Sequence, residues 1–160
     1  MKNEQPIIKE LQDRVVACTS FTGNYIENPK IFGTLYNQLT AWAEAKGLMS
    51  ETTGFISSYA NNPKNTPSDQ LQLDVCMNIS EHTEVDGEVK KKVLPGGEYA
   101  VMHAELESAE EYARAWEAIV EWVEKNHELD TSRPGYEIYL NNPEDHPQKH
   151  HILDICLSIK

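Results

Sequence analysis

The side chain best placed to do chemistry in this sequence is Glu137, in the run Gly135-Tyr136-Glu137-Ile138-Tyr139-Leu140. The run predicts a strand, on which Glu137 and Tyr139 point to one side and Tyr136, Ile138 and Leu140 to the other. A carboxylate beside a tyrosine, turned toward aromatic helices, suits an organic cation. The acid supplies the counter-charge, and the rings supply cation–π contact worth ~0.5–2 kcal/mol. Withdrawal from water favours the neutral form of a carboxyl, so the same group is also competent for acid or base chemistry. The aromatic candidates to line such a site are Tyr36, Tyr112, Trp116 and Tyr139, and the further polar candidates are His103 and, as a second acid, Asp154. Each has a plainer alternative. Glutamates mostly sit in water, aromatic stripes at helical spacing are usually core, and a lone strand histidine is more often a surface or hydrogen-bonded residue than a base.

What singles out Glu137 is a repeat. Residues 31–79 return 80 positions later as residues 111–159 without a gap. Tyr59-Ala60-Asn61-Asn62-Pro63 matches Tyr139-Leu140-Asn141-Asn142-Pro143, and Leu73-Asp74-Val75-Cys76 matches Leu153-Asp154-Ile155-Cys156. Residues that the fold requires should recur in both copies, whereas those serving an asymmetric site need not. Trp42 and Trp122 recur and read as structural, as do Asp74 and Asp154; Glu137 does not recur, and Ser57 holds the equivalent position in the first copy. Trp116 and Tyr36 share one position, and Tyr112 and Phe32 another.

The elements that must carry these residues follow from periodicity. Arg14 to Thr19 reads as a strand, and its counterpart runs from Tyr99 to Leu106. There Ala100, Met102, Ala104 and Leu106 make an apolar face and Tyr99, Val101, His103 and Glu105 a mixed one. Phe32, Leu35, Tyr36, Leu39, Trp42 and Ala43 recur at helical spacing, ended by Gly47. Tyr112, Ala115, Trp116, Ile119 and Val123 form a second stripe, with Glu110, Glu111, Glu117, Glu121 and Glu124 on the solvated faces. Each half closes on two strands separated by Asn-Asn-Pro turn chemistry. The prediction is an α+β protein: tandem duplicated strand-helix-strand-strand modules forming a mostly antiparallel sheet, two helices on one face, and a cleft between the halves. One domain spans residues 1–160, with pseudo-repeats over about 13–79 and 97–160 and a polar linker over about 80–96.

Composition narrows the function. At 39% hydrophobic and 25% charged residues the chain is ordinary for a soluble domain, and no apolar run approaches the ~20 residues of a membrane span. Met1 to Pro6 contain no apolar stretch with a cleavage site, so export by a signal peptide is not expected and the cytoplasm is. A net charge of −12 repels phosphate backbones and argues against direct nucleic-acid binding, while it favours cationic small molecules. Lys90-Lys91-Lys92 falls in the linker. Cys18, Cys76 and Cys156 read as buried packing residues. His146, His150 and His151 with Asp145 resemble a metal cluster, but Pro147 interrupts any helix that would align two ligands, and a solvated turn is the expectation, with no metal. Gly96-Gly97 precedes a strand, not a helix, so no phosphate-bearing cofactor is expected.

The second half also resembles a known family. Gly97-Glu98-Tyr99-Ala100-Val101, the helix around Tyr112 to Trp122 and above all Gly135-Tyr136-Glu137-Ile138-Tyr139-Leu140-Asn141-Asn142-Pro143 resemble the gyrase-inhibitor-like (GyrI-like) family. That family includes the effector-binding domains of AraC-type regulators and MerR-type multidrug regulators. The resemblance runs from about Val15 to Lys160, in the family's doubled strand-helix-strand-strand arrangement. It implies a pocket for drug-like, often cationic compounds with Glu137 as its acidic centre, and aromatic lining for which Tyr36, Trp116 and Tyr139 are the candidates. The leader of about a dozen residues is too short for a helix-turn-helix module, which points to a stand-alone form.

Three functions are implied. The first is a small-molecule binding protein that senses or sequesters toxic compounds. The second is an interaction protein similar to the gyrase inhibitor, with DNA gyrase as partner. The third is a hydrolase opening cyclopropane rings of DNA-alkylating compounds, in which Glu137 would direct water. A binding site needs only one buried acid and a ring-lined cavity, so binding is the leading expectation. The enzyme requires a second acid or a tyrosine within hydrogen-bond reach of Glu137, with His103 and Asp154 as candidates.

Overall fold

The computed structural model describes residues 1–160. Two compact units divide the chain, one formed by Asp13–Pro95 and the other by Met1–Gln12 with Gly96–Lys160.

In the Asp13–Pro95 unit the order is β3 (Arg14–Thr22), α1 (Lys30–Ala45), β4 (Phe55–Tyr59), β5 (Gln72–Asn78) and β6 (Lys90–Leu94). The strands pair antiparallel in the order β6–β3–β5–β4. Leu35, Leu39 and Ala43 of α1 pack on Ala17, Leu73, Val75 and Met77, every one of them buried. Gly47, at φ +69°, supplies the left-handed residue that ends α1, and the Leu48 amide turns back to the Ala43 carbonyl. The second unit repeats this plan: β7 (Gly97–Leu106), α2 (Tyr112–Asn126), β8 (Gly135–Tyr139) and β9 (His151–Ser158), with β9 between β7 and β8. Ala115, Ile119 and Val123 of α2 meet Ala100, Met102, Ala104 and Leu106 of β7 and Leu153 and Ile155 of β9. The apolar face predicted for β7 is the face that α2 covers. Each fully buried Leu or Ile here contributes about 1.5–3 kcal/mol.

Several segments behave differently from their sequence expectation. The polar leader forms two short strands, β1 (Lys2–Asn3) and β2 (Ile7–Leu11), both antiparallel to β7. Part of the expected linker is strand β6, so the three lysines lie exposed on a paired edge strand, where Lys91 donates to the Glu81 carbonyl and Lys92 pairs with Asp74. Lysines are common on such edges because their charge discourages further strand addition. The linker is tied down again by Asp86, which accepts from Trp42 Nε1 at 2.9 Å and pairs with Lys46 Nζ at 2.6 Å. Glu110, Glu117, Glu121 and Glu124 are exposed as expected, but Glu111 is half-buried and bonds the amino terminus of Met1 at 3.1 Å and the Glu107 amide at 2.6 Å.

The cysteines are packing residues. Cys18 and Cys76 oppose each other across β3 and β5 with their sulfurs 2.6 Å apart, and all three thiols are buried. The hydrogen bond with Cys18, and then burial, push the Cys76 thiol well above its ordinary pKa, which suppresses the nucleophilic thiolate. No helix is long and apolar enough to cross a membrane.

Candidate functional site

Glu137 lies on the face of the β8–β9 ladder that α2 covers. It sits opposite Ile155, and Tyr139 sits opposite Leu153, both β9 residues of the α2-facing core. Only 2% of Glu137 is exposed. A carboxylate so far from water needs donors, and two aromatic residues supply them. Trp116 Nε1–H donates to one carboxylate oxygen at 2.6 Å, and the Tyr139 hydroxyl donates to the other at 2.7 Å. Hydrogen bonds to an ionised acceptor are the strong ones, worth roughly 1.5–3 kcal/mol each.

The reach of Trp116 depends on a residue that the sequence reading passed over. Gly135 stands where the first half has Phe55. In the first half Tyr36, the counterpart of Trp116, packs on the Phe55 ring at 4.9 Å. In the second half there is no side chain at that place, and the indole lies against the strand: a Cβ on Gly135 would stand 3.2 Å from Trp116 Cη2 and 3.4 Å from Cζ3. Loss of one aromatic ring therefore makes room for a larger one with an N–H at its edge. Comparison of the repeats at position 55 against 135 would have found it.

Tyr112 and His151 extend the polar line along the same side. Their Oη and Nδ1 are 2.8 Å apart, with the rings edge to face. Burial pushes the Tyr112 phenol well above its ordinary pKa, and the negative charge of nearby Glu137 pushes it the same way. Burial, followed by the charge of His150, pulls His151 down. Both shifts favour an uncharged pair, a protonated phenol beside a neutral imidazole, and the tautomer of His151 sets which of the two donates.

The first half holds no acid at the equivalent place. Ser57 is 1% exposed, and an aromatic cluster of Tyr25, Phe32 and Tyr59, with ring centroids 5.6–6.4 Å apart, occupies that end of α1. Tyr36 belongs to this unit and is 39% exposed.

Glu137, Tyr139, Trp116 and Tyr112 thus come together, joined by His151, which was not among the expected site residues. His103 and Asp154 do not join them. They sit opposite each other in the β7–β9 register, on the face turned away from α2, and bond each other at 2.9 Å. Alternation along β9 puts Asp154 on the other side from Ile155, and so from Glu137. That outer face carries an open, polar hollow of about 360 Å³ lined by Glu4, Lys9, Val101, His103 and Asp154 among others. Arg133 fastens the far end of the unit. Its guanidinium donates to the carbonyls of Gly96, Glu98 and Ile159, pairs with Asp130 and lies 4.9 Å from the Tyr99 ring centre. Side chains able to hold a metal gather elsewhere, at Glu105, His146 and His150.

Comparison with known proteins bears on the family and the fold. The model of the GyrI-like small molecule binding domain matches residues 4–160. The chain is 30% identical over 141 residues to a DNA gyrase inhibitor of Yersinia enterocolitica, covering 84% of this chain and 85% of that protein. Among solved structures, the C-terminal domain of EcmrR superposes with a TM-score of 0.72 at 13% identity, over 98% of this chain and 97% of that one. SAV2435 bound to tetraphenylphosphonium gives 0.67 at 11% identity, over 98% and 94%. At those identities the structural likeness speaks for the fold.

Proposed function

This chain belongs to the family of GyrI-like small-molecule binding domains, and on that footing we propose that it binds cationic, aromatic drug-like compounds at Glu137, as a cytoplasmic sensing or toxin-protection protein. The observation that carries the reading is a carboxylate 2% exposed that accepts hydrogen bonds from two aromatic side chains. A buried carboxylate is a strong counter-charge, and an organic cation would pair with it while its apolar body packs on Trp116 and Tyr139. Both rings are half-buried, and rotation of the Tyr139 side chain would release its hydrogen bond to the carboxylate oxygen and let an arriving cation take its place. The likeness to a protein solved with tetraphenylphosphonium supports the choice of probe.

Glu137→Gln separates charge from shape. The Gln amide can accept from Trp116 with its oxygen and donate to the Tyr139 hydroxyl, so both hydrogen bonds survive without the charge. At 4–5 Å and an effective dielectric near 20, a carboxylate attracts a unit cation by about 3–4 kcal/mol, part of which desolvation offsets. The variant should therefore bind tetraphenylphosphonium ~10- to 100-fold more weakly by calorimetry. The neutral analogue triphenylphosphine oxide should bind both proteins alike. Equal affinity of the two proteins for the cation would refute the reading.

Two other functions have an observation in their favour. Similarity to a DNA gyrase inhibitor over most of the chain supports an interaction with gyrase, which a pull-down with the purified enzyme tests. The Tyr139 hydroxyl within 2.7 Å of Glu137 supplies the partner a hydrolase would need. Turnover of a cyclopropane-bearing alkylator, lost in Glu137→Gln, tests that reading.

A further inference from the structure

The loop joining β8 to β9 gathers a second set of groups with coordination chemistry, away from Glu137. His146 and His150 stack with ring centres 4.8 Å apart and planes 13° from parallel. Glu105 comes from β7, more than 40 residues earlier in the chain, and its Oε2 lies 2.8 Å from His150 Nδ1. One donor atom from each of the three side chains lies within 4.8 Å of the others.

We propose that Glu105, His146 and His150 form a binding site for a divalent transition-metal ion, Zn²⁺ first, with Ni²⁺ and Cu²⁺ as congeners. Two imidazoles and one carboxylate are a borderline donor set that suits these ions and disfavours Mg²⁺ and Ca²⁺, which take oxygen ligands almost alone. A tetrahedral ion with bonds of about 2.0–2.2 Å sets its ligands about 3.3–3.6 Å apart. Small side-chain rotations bring donors already within 4.8 Å to that spacing. Three protein ligands leave one position for water or a substrate atom.

The loop is built to present these groups. Asn141 Nδ2 donates to the His150 carbonyl and its Oδ1 accepts from the Ile152 amide, both at 2.9 Å, which fixes the backbone around His150. Asn142 caps the short 3-10 turn Pro143–Asp145 that leads into His146. Lys149 adopts φ +59°, a left-handed conformation unusual for a residue with a Cβ, and this reversal lays His150 over His146. The repeat argues in the same direction. The counterparts of His146 and His150 are Thr66 and Gln70, and strand registers equate Glu105 with Thr22, so none of the three ligands recurs. Asn61, counterpart of Asn141, does recur and makes the same bond, to the Gln72 amide at 2.8 Å. The clamp is therefore what the fold needs, and the ligands are additional.

The test uses the full chain without a histidine tag, stripped with chelator, and titrates Zn²⁺ by calorimetry and Co²⁺ by its visible spectrum. One ion per chain is expected, with affinity reduced at least ~100-fold in His146→Gln/His150→Gln and at least ~10-fold in Glu105→Gln. His82→Gln, at an exposed histidine elsewhere, should bind as the wild type does. Paramagnetic broadening by Cu²⁺ in the unmutated protein locates the site whether or not a variant folds, and it should centre on residues 105, 146 and 150. No binding to the wild type, equal binding by the double variant, or broadening centred on another histidine would each overturn the proposal.

Discussion

Replacing Trp116 by Phe tests the arrangement that holds Glu137 in the absence of any ligand. Phenylalanine fills the same place with a smaller ring and no N–H. The 2.6 Å bond to Glu137 is lost, and the carboxylate keeps one of these two aromatic donors. Loss of a hydrogen bond to a buried charged acceptor costs about 2 kcal/mol. The smaller ring withdraws on the order of 40 Å² of apolar contact, about 1 kcal/mol at roughly 25 cal/mol per Å². The variant should be less stable by about 3 kcal/mol, a fall in melting temperature of roughly 6–12 °C in a chain of this length. The area loss is independent of what occupies position 137, whereas the hydrogen bond is not. In a Glu137→Gln background the lost bond is neutral and worth about 1 kcal/mol, so Trp116→Phe should cost about 2 kcal/mol there. Urea unfolding of the four proteins of this double-mutant cycle should give a coupling of about 1 kcal/mol. Equal cost of Trp116→Phe in both backgrounds, within about 0.3 kcal/mol, would show that the indole does not hold an ionised carboxylate.

Three further outcomes are expected. Gly135→Phe, which restores the residue of the first half, should push the Trp116 indole off Glu137 and cost several kcal/mol by overpacking and the lost bond, whereas Gly135→Ala should cost about 1 kcal/mol or less. The Trp116 indole N–H proton resonance should move upfield in both, and an unmoved resonance would sink the account of why this position is glycine. Asp130 has its carboxyl pulled down to about 2, first by the Ser132 hydroxyl and amide and then by Arg133. A lowered folded-state pKa stabilises the protein above the unfolded value of 3.8, and that contribution fades as the pH falls toward 2. Asp130→Asn should therefore flatten the loss of stability between pH 4 and pH 2, and parallel curves for the two proteins would contradict it. The three buried thiols should resist iodoacetamide at pH 8 until urea unfolds the chain; rapid labelling of the native protein would contradict their packing role.

The sequence was informative wherever one rule acts along the chain. The stripe Ala115, Ile119, Val123 and the alternation Ala100, Met102, Ala104, Leu106 each encode one buried face, because periods of 3.6 and 2 follow from backbone geometry alone. The 80-residue repeat then placed the same elements twice and marked Glu137 as the acid without a twin. Edge strands were harder to read. β1 and β6 are mostly polar, and β2 is largely exposed although it carries Ile7, Ile8 and Leu11, so their residues look like leader or linker until a neighbouring strand offers its ladder.

By itself, then, the amino-acid sequence determined the α+β plan, its duplication, the faces of the main strands and helices, and the position of one carboxylate among aromatic residues. Tertiary structure alone decided which partners that carboxylate has. Trp116 reaches it because a glycine 19 residues further on leaves the space empty, and His103 and Asp154 are turned to the opposite face by strand register. It also decided that Glu105 meets His146 and His150, whose local sequence, with Asp145 and His151, predicts only a solvated turn. Hydrogen-bond partners and ligand sets depend on distances of a few ångströms between residues far apart in the chain. Local propensity carries no information about such distances, because they are set only when strand register, helix packing and turn geometry are satisfied together.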